Sequence, residues 1–339
     1  MRVSNSKLKK FLRCRNAYRY KYVEGWTPKV RGLPLERGSW IHSLLETYYL
    51  GGDWKQRHKH LLGTFNNLFE EQREDLEGMP ADCLNIMRRY LARYPNDLKQ
   101  FVVVDAELDE RVTLPNGVEL QIIVDLILED RNTHRLWAFD HKTRGVFQDS
   151  DQAMLDPQLT LYHYGLVKMG YTPLNGICIN ELSTKMPTLP EVLKSGELSK
   201  RANLVCDVWT YEREIKRLGL DRADYGDYLL NLAVRNKDRF FRRQYMPKDG
   251  PMTKIMVREA MQTAEEIVRA EKQNRFPRTF IPRDCKWSCE YKDICITELH
   301  GGDPTELVKM FFETRDQKKR REARERKMGE VKRVGTETS

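Results

Sequence analysis

Apolar positions recur at helical spacing through the first third of the chain, at strand spacing through the middle, and at helical spacing again towards the end. Residues 5–24 predict a basic helix with Leu8, Phe11, Leu12, Tyr18 and Tyr22 on its apolar side. A second helix is predicted over 36–50, and helical patterns continue to about 98, a helical subregion inserted ahead of the sheet. Strands follow at 101–112, 118–129 and 135–142, with a turn signal at Pro115-Asn116-Gly117 and a short hairpin loop at Asp130–His134. A helix at 152–169 and an apolar strand at 174–182 come next, then a loop-rich stretch over 183–205. A strand near 206–213 and helices at 221–236 and 251–273 complete the pattern, ahead of a charged, helix-prone end over 303–339. Helices, antiparallel strands, then strand and helices again predict an α/β fold of α+β character, with a mixed central sheet flanked by helices.

The strand pair 118–129 and 135–142 carries chemistry. A turn centred on Asn132-Thr133 places Asp125 opposite Asp140, and opposite residues of an antiparallel pair share a face. Lys142, two residues on, lies on that face too. Paired carboxylates in apolar strands repel and are costly to bury, and a divalent cation answers both problems. Mg²⁺ or Mn²⁺ favours carboxylate oxygens and keeps waters, one of which, near a lysine, is a nucleophile for a phosphodiester. Taken alone, an Asp-x-Lys is more often a charged strand end.

Charge changes the picture by its placement. The formal net charge of +9 divides into +9 over residues 1–31, +6 over 315–333 and −6 elsewhere. Basic ends around an acidic middle are what a polyanion-binding surface needs. Lys10 and Arg13 are candidate phosphate contacts, with tyrosines between the basic residues as stacking surfaces. The run Lys318–Lys327 is read as a nucleic-acid or protein-partner site within a basic tail, 301–339. No run approaches the ~20 apolar residues of a membrane span, and the N-terminus shows no apolar signal core. A cytoplasmic protein is expected, in the host cytoplasm if phage-encoded. No Walker-type phosphate loop is visible, so no helicase motor is expected in this chain.

Seven cysteines, an odd number, argue against a disulfide framework. Cys83, Cys178 and Cys206 sit singly and are expected to be packed. Cys285, Cys289 and Cys295 form Cys-x₃-Cys-x₅-Cys, and Cys14 can supply a fourth thiolate. Four thiolates suit a structural Zn²⁺ or a [4Fe–4S] cluster.

Together these motifs resemble the PD-(D/E)XK nucleases, in their RecB-like branch, over about residues 4–298. Asp125 matches the second-strand acid and Asp140-His141-Lys142 the (D/E)-x-K. Gly38-Ser-Trp-Ile-His42 matches a Gly-x-x-x-His on an early helix, and Gln158-Leu-Thr-Leu-Tyr162 a Gln-x-x-x-Tyr after the lysine strand. The resemblance implies a restriction-endonuclease-like core spanning about 1–300, with His42, Asp125, Asp140 and the His141 carbonyl as metal ligands. It gives Asp125, Asp140 and Lys142 catalytic roles, and Gln158 and Tyr162 contacts to the substrate strand. Glu107 stands where an accessory acid often lies, assisting the metal or pairing with Lys142. The cysteine set is similar to the iron–sulfur staple of AddB and of CRISPR-associated RecB-like exonucleases, with x₃ where those usually have x₂. By analogy with a disulfide, joining Cys14 to Cys285 would restrict the unfolded chain by about 5 kcal/mol.

The expected activity is a metal-dependent deoxyribonuclease, an exonuclease on single-stranded DNA ends in repair, recombination or phage DNA processing. Two alternatives stand beside it: a DNA-binding scaffold with a structural cluster, and a nuclease subunit inactive without a helicase or integrase partner.

Overall fold

The computed structural model describes residues 1–317 other than 31, 67–69, 249, 282, 284, 287, 288 and 315, with backbone alone at 71 and 72. The basic run Lys318–Lys327 lies outside the described residues. In chain order the elements begin with strand β1 (Arg2–Ser4), helices α1 (Asn5–Arg13) and α2 (Arg15–Tyr18), a π-helical turn (Arg19–Val23) and β2 (Trp26–Pro28). Helices α3 (Leu33–Tyr49), α4 (Trp54–Asn66), α5 (Glu70–Glu74), α6 (Met79–Arg93) and α7 (Asp97–Gln100) follow. Strands β3 (Phe101–Thr113), β4 (Glu119–Asp130) and β5 (Leu136–Arg144) lead to α8 (Ser150–Met154), α9 (Pro157–Lys168) and β6 (Leu174–Ser183). The rest comprises α10 (Val208–Arg217), α11 (Gly226–Arg235), β7 (Phe241–Pro247), α12 (Gly250–Gln273), α13 (Lys292–Leu299), α14 (Thr305–Phe311) and β8 (Phe312–Thr314). Among the described residues no helix is long and apolar enough to cross a membrane.

The chain forms two compact units. The first gathers Met1–Gly32, Glu110–Ile122 and the described residues from Pro251 on. In it β1 runs parallel to the start of β4, Arg2 opposite Glu119, and β2 pairs antiparallel with β8. The single helix expected over 5–24 is broken at Cys14, which is extended (φ −162°, ψ 112°) and whose Sγ accepts the amide of Ala17. Tyr18, on the expected apolar side, is buried, and so is Tyr20, one of the tyrosines offered as stacking surfaces; their hydroxyls donate to Glu271 and Glu298. The basic segment is matched internally, Lys10 with Glu290, Arg15 with Glu266 and Arg19 with Glu298.

The second unit is Leu33–Asp109 with Ile123–Gly250. Its sheet is mixed: β4 and β5 are antiparallel, β5 and β6 parallel, β6 and β7 antiparallel, and β3 joins at β4. Helices α3 and α6 cover one face, burying Ile41, Leu44, Ile86 and Met87 against Leu126, Phe139, Cys178 and Phe241. Helix α9 meets the other face, where Gln158 reaches Asp140. The strand expected near 206–213 is α10, because Asp207 caps it by accepting the Thr210 amide and its buried side chains, Tyr211 and Ile215, recur at helical spacing. Strand β7, with three charged or amide residues in its centre, is not visible as an apolar period.

Candidate active site and cysteine centre

The site forms where the β4–β5 ladder opens. That ladder runs from Glu129↔Leu136 to Leu126↔Phe139, the register a turn at Asn132-Thr133 requires. One step further lie Asp125 and Asp140. There the His141 amide donates to Asp125 Oδ2 at 2.6 Å instead of continuing the ladder. The His141 carbonyl faces His42 Nε2 at 3.0 Å, and His42 Nδ1 stands 3.3 Å from Asp125 Oδ1. His42 reaches this point because α3 passes close to β5 at Gly38, where a Cβ would already touch Thr143 Oγ1 at 3.4 Å. Gly38 and His42, four residues apart, share one side of the helix.

Glu107 completes the cluster. It adopts a left-handed backbone (φ 50°) within β3, which re-aims its side chain out of the strand's alternation. Ligand atoms of His42, Glu107 and Asp125 all lie within 4.8 Å of one another. Burial and the Asp125 charge push the Glu107 carboxyl up to about 7. Burial would raise Asp125 as well, but the hydrogen bond and charge of His42 hold it down at about 2. Burial would lower His42, yet Asp125 and Glu107 hold it above its usual value. Both ring nitrogens of His42 thus face oxygen acceptors, and as a metal ligand the ring would give up a proton at one of them.

Asp140 and Lys142 form the second half. Lys142 Nζ donates to Asp140 Oδ1 at 2.9 Å, and Gln158 Nε2 lies 3.4 Å from the same oxygen. Asp140 Oδ2 has the ammonium near it but accepts no hydrogen bond of good geometry, although the carboxylate is buried. Burial pushes Asp140 up against the pull of Lys142. The lysine is held above its usual value by Asp140 in spite of burial, and therefore stays charged. Gln158 Nε2 also donates to the buried Tyr162 hydroxyl at 3.0 Å, and Asp156 fixes the start of α9 by accepting the Gln158 amide.

A buried carboxylate oxygen that accepts no well-aligned hydrogen bond, beside a three-residue His/Glu/Asp cluster, suits a hard divalent cation. The structure thus gathers His42, Glu107, Asp125, Asp140, the His141 peptide, Lys142, Gln158 and Tyr162 in the second unit. Lys10, paired with Glu290, and the exposed Arg13 belong to the first.

Residues not foreseen support the site from the core side. His141 Nδ1 faces Asn180 Nδ2 at 2.9 Å, and the same amide donates to Tyr90. Arg243 on β7 donates to Asp97, Tyr49 and Tyr90. Burial holds the His141 imidazole down at about 3, hence neutral. The sequence signal was Asn180-Glu181, two polar residues in the middle of an apolar strand.

In the first unit Cys14, Cys289 and Cys295 pack around Ala17, Tyr20, Tyr291 and Ile294. Burial pushes the Cys289 thiol up, with the sulfurs of Cys285 and Cys14 adding to the effect. Cys295 Sγ receives Arg278 Nε at 3.1 Å and Asn16 Nδ2 at 3.7 Å. These N–H groups surround Cys295; among the described residues, only His42, Glu107 and Asp125 bring three candidate metal-ligand atoms within 4.8 Å of one another. Cys83, Cys178 and Cys206 are buried singly.

No curated protein matches the chain. Among solved structures it is similar to a candidate exonuclease from Eubacterium rectale, at 14% identity, TM-score 0.36, covering 73% of this chain and 90% of that one. It is also similar to the protein SSO0001, at 12% identity, TM-score 0.32, covering 87% of this chain and 85% of that one. The sequence itself matches the family model of the PD-(D/E)XK nuclease superfamily over residues 2–296. With that match across nearly the whole chain, and with Asp125 and Asp140-His141-Lys142 meeting at the open end of the β4–β5 ladder, this protein belongs to the PD-(D/E)XK nuclease superfamily.

Proposed function

We propose that this nuclease is of the RecB-like branch and degrades DNA from single-stranded ends, in the cytoplasm, in repair, recombination or phage DNA processing. The observation that carries the reading is the convergence of the Gly-x-x-x-His, Asp, Asp-x-Lys and Gln-x-x-x-Tyr residues at the open end of the β4–β5 ladder. His42, Glu107, Asp125, Asp140 and the His141 carbonyl would hold Mg²⁺ or Mn²⁺. The ion, when bound, supplies Lewis acidity that neutralises phosphate charge and acidifies water. Lys142, charged and anchored on Asp140, donates hydrogen bonds that orient the attacking water; it takes no proton. Gln158 and Tyr162 place the strand, and Lys10 and Arg13 are proposed phosphate contacts of the first unit.

Cys14, Cys285, Cys289 and Cys295 are proposed to bind a [4Fe–4S] cluster within the first unit, and residues 1–300 to act as one nuclease domain. Iron and acid-labile sulfide near four each per chain, both lost in Cys14→Ser, are the expected result. Stoichiometric zinc instead would overturn the cluster.

The activity test uses end-labelled single-stranded and duplex DNA with Mn²⁺ or Mg²⁺, beside Asp140→Ala. Loss of single-stranded DNA from one end, absent in the variant, is expected. Wild type as inert as the variant, with its thiolate centre loaded, would overturn the autonomous enzyme and leave a scaffold or a subunit. Internal cuts or a duplex preference would overturn the substrate assignment alone.

A further inference from the structure

On the catalytic face of the sheet, a row of residues runs sideways from Lys142. Glu181 on β6 is the register partner of Lys142, and Arg242 on β7 is the register partner of Glu181. Arg144 lies two residues beyond Lys142 on β5, on the same face. Strand geometry puts Arg144 about 7 Å along from Lys142 and Arg242 about 10 Å across from it, measured between α-carbons. Neither arginine has a role in the site described above.

Glu181 has a side chain with no solvent exposure. Its Oε1 accepts the Gln148 amide at 2.9 Å, while Oε2 accepts Arg242 Nε at 2.8 Å, Arg242 Nη2 at 2.6 Å and Gln244 Nε2 at 2.9 Å. One guanidinium neutralises the carboxylate, and these four donors satisfy it. Arg144 is therefore surplus to the pair: its Nη1 lies 3.4 Å from Glu181 Oε1 and donates to Gln148 Oε1 at 2.8 Å. Two guanidiniums share one negative charge, and the cluster carries a net positive charge beside an acidic site. Both arginine side chains remain about a quarter exposed, 26% and 27%. Arg242 also packs over Phe147, its guanidinium carbon 5.1 Å from the ring centroid, so its orientation is fixed.

A surplus, oriented and partly exposed guanidinium pair next to a phosphodiester site is chemistry for a second phosphate. We propose that Arg144 and Arg242, clasped by Glu181, bind the backbone phosphate adjacent to the scissile one on the strand being cut. They act as positioning residues: the neighbouring phosphate sets the register in which the scissile bond meets Lys142. The proposal rests on the nuclease reading for its substrate, and the experiment separates the two.

Binding of a short fluorescent oligothymidylate is measured by anisotropy in the Asp140→Ala background with Ca²⁺, across a salt series, with Arg144 intact or changed to Ala. Arg144→Ala leaves Arg242 on Glu181, so the fold is kept; Arg242→Lys serves as the second variant, keeping charge while losing the paired donors. About tenfold weaker binding is expected for Arg144→Ala. The slope of log K on log salt becomes shallower by about 0.7, one phosphate contact on a single strand. A neutral methylphosphonate next to the cleavage position weakens the Arg144-intact protein by a similar factor and Arg144→Ala hardly at all. Unchanged affinity and slope, or a methylphosphonate penalty undiminished by Arg144→Ala, would overturn the clasp whether or not the wild type cleaves. Conversely, the expected binding pattern with no cleavage by the wild type would keep the clasp and remove the nuclease reading.

Discussion

The backbone amide of His141 donates to the Asp125 carboxylate at 2.6 Å, while the carbonyl of that residue faces His42 at 3.0 Å. A peptide group that would otherwise extend the β4–β5 ladder is thereby turned to the site. Asp125 is held in place by backbone, whereas Asp140 is held by Lys142, and the two acids are expected to respond differently to substitution.

Asp125→Ala should lose both cleavage and Mn²⁺ binding, since it removes the acid at the centre of the His42–Glu107 cluster. Lys142→Ala should lower kcat by about 10²–10³-fold, the range for removing one pre-positioned hydrogen-bond donor, with Mn²⁺ affinity changed no more than a few-fold. Calorimetric Mn²⁺ titration beside steady-state cleavage separates the two. A Lys142 variant that loses metal in parallel with activity would show that the ammonium builds the site and does not act on the substrate.

His58 gives a pH-dependent stability. Its ring is buried, and Nδ1 accepts from Trp40 Nε1 at 3.1 Å, which requires the neutral form at that nitrogen. Burial, with Arg88 nearby, lowers its pKa below the usual 6.5. The unfolded chain therefore takes up this proton first as pH falls, so the contribution is fully present above about 6.5 and is lost below it. Going from pH 7.5 to 5.5, the urea midpoint of the wild type should fall relative to that of His58→Gln. His141 and His163, also lowered by burial, keep some slope in the variant. Equal slopes in both proteins would remove His58 from the account.

Much of this arrangement is legible in the sequence, for a physical reason. The alternation of β4 and β5 and the short loop between them fix a register, and with it Asp125 opposite Asp140. Glu107 is not legible in the same way. The buried side of β3 shifts from odd to even residues between Asp105 and Leu108, and the left-handed backbone at Glu107 marks that shift. Strand β7 is hidden because Arg242 and Arg243 are held by Glu181 and Asp97 and not by apolar contact, so the hydrophobic period is absent. In α10 aromatic and β-branched residues favour a strand, and the Asp207 cap outweighs them.

The Asp97–Arg243 pair is nearly inaccessible to solvent, at 5% and 8% side-chain exposure. Removing one partner leaves a buried charge, so Asp97→Ala should destabilise the fold by about 3–5 kcal/mol. Replacing both, as Asp97→Leu with Arg243→Met, should recover most of that loss. The network also reaches His141 through Asn180 and Tyr90, so the single variant should impair cleavage even where it remains folded. Urea denaturation of the three proteins decides the matter: a single-variant loss below about 1 kcal/mol would mean water already screens the pair.

Glu107 sets stability against function. A non-glycine residue in the left-handed region carries about 1–2 kcal/mol of strain, part of which glycine returns as chain entropy. Glu107→Gly should therefore leave the metal-free fold unchanged or more stable by up to about 1 kcal/mol. It should also remove a carboxylate that stands within 4.8 Å of the His42 and Asp125 ligand atoms. Mn²⁺ should raise the melting temperature of the wild type and have a smaller effect on the variant. Glu107→Gln, which retains the strained backbone, should lose the metal response without gaining stability. If Glu107→Gly instead destabilised the metal-free protein while Mn²⁺ protected it as strongly as the wild type, the left-handed turn would be a packing feature of β3 and Glu107 would hold no metal.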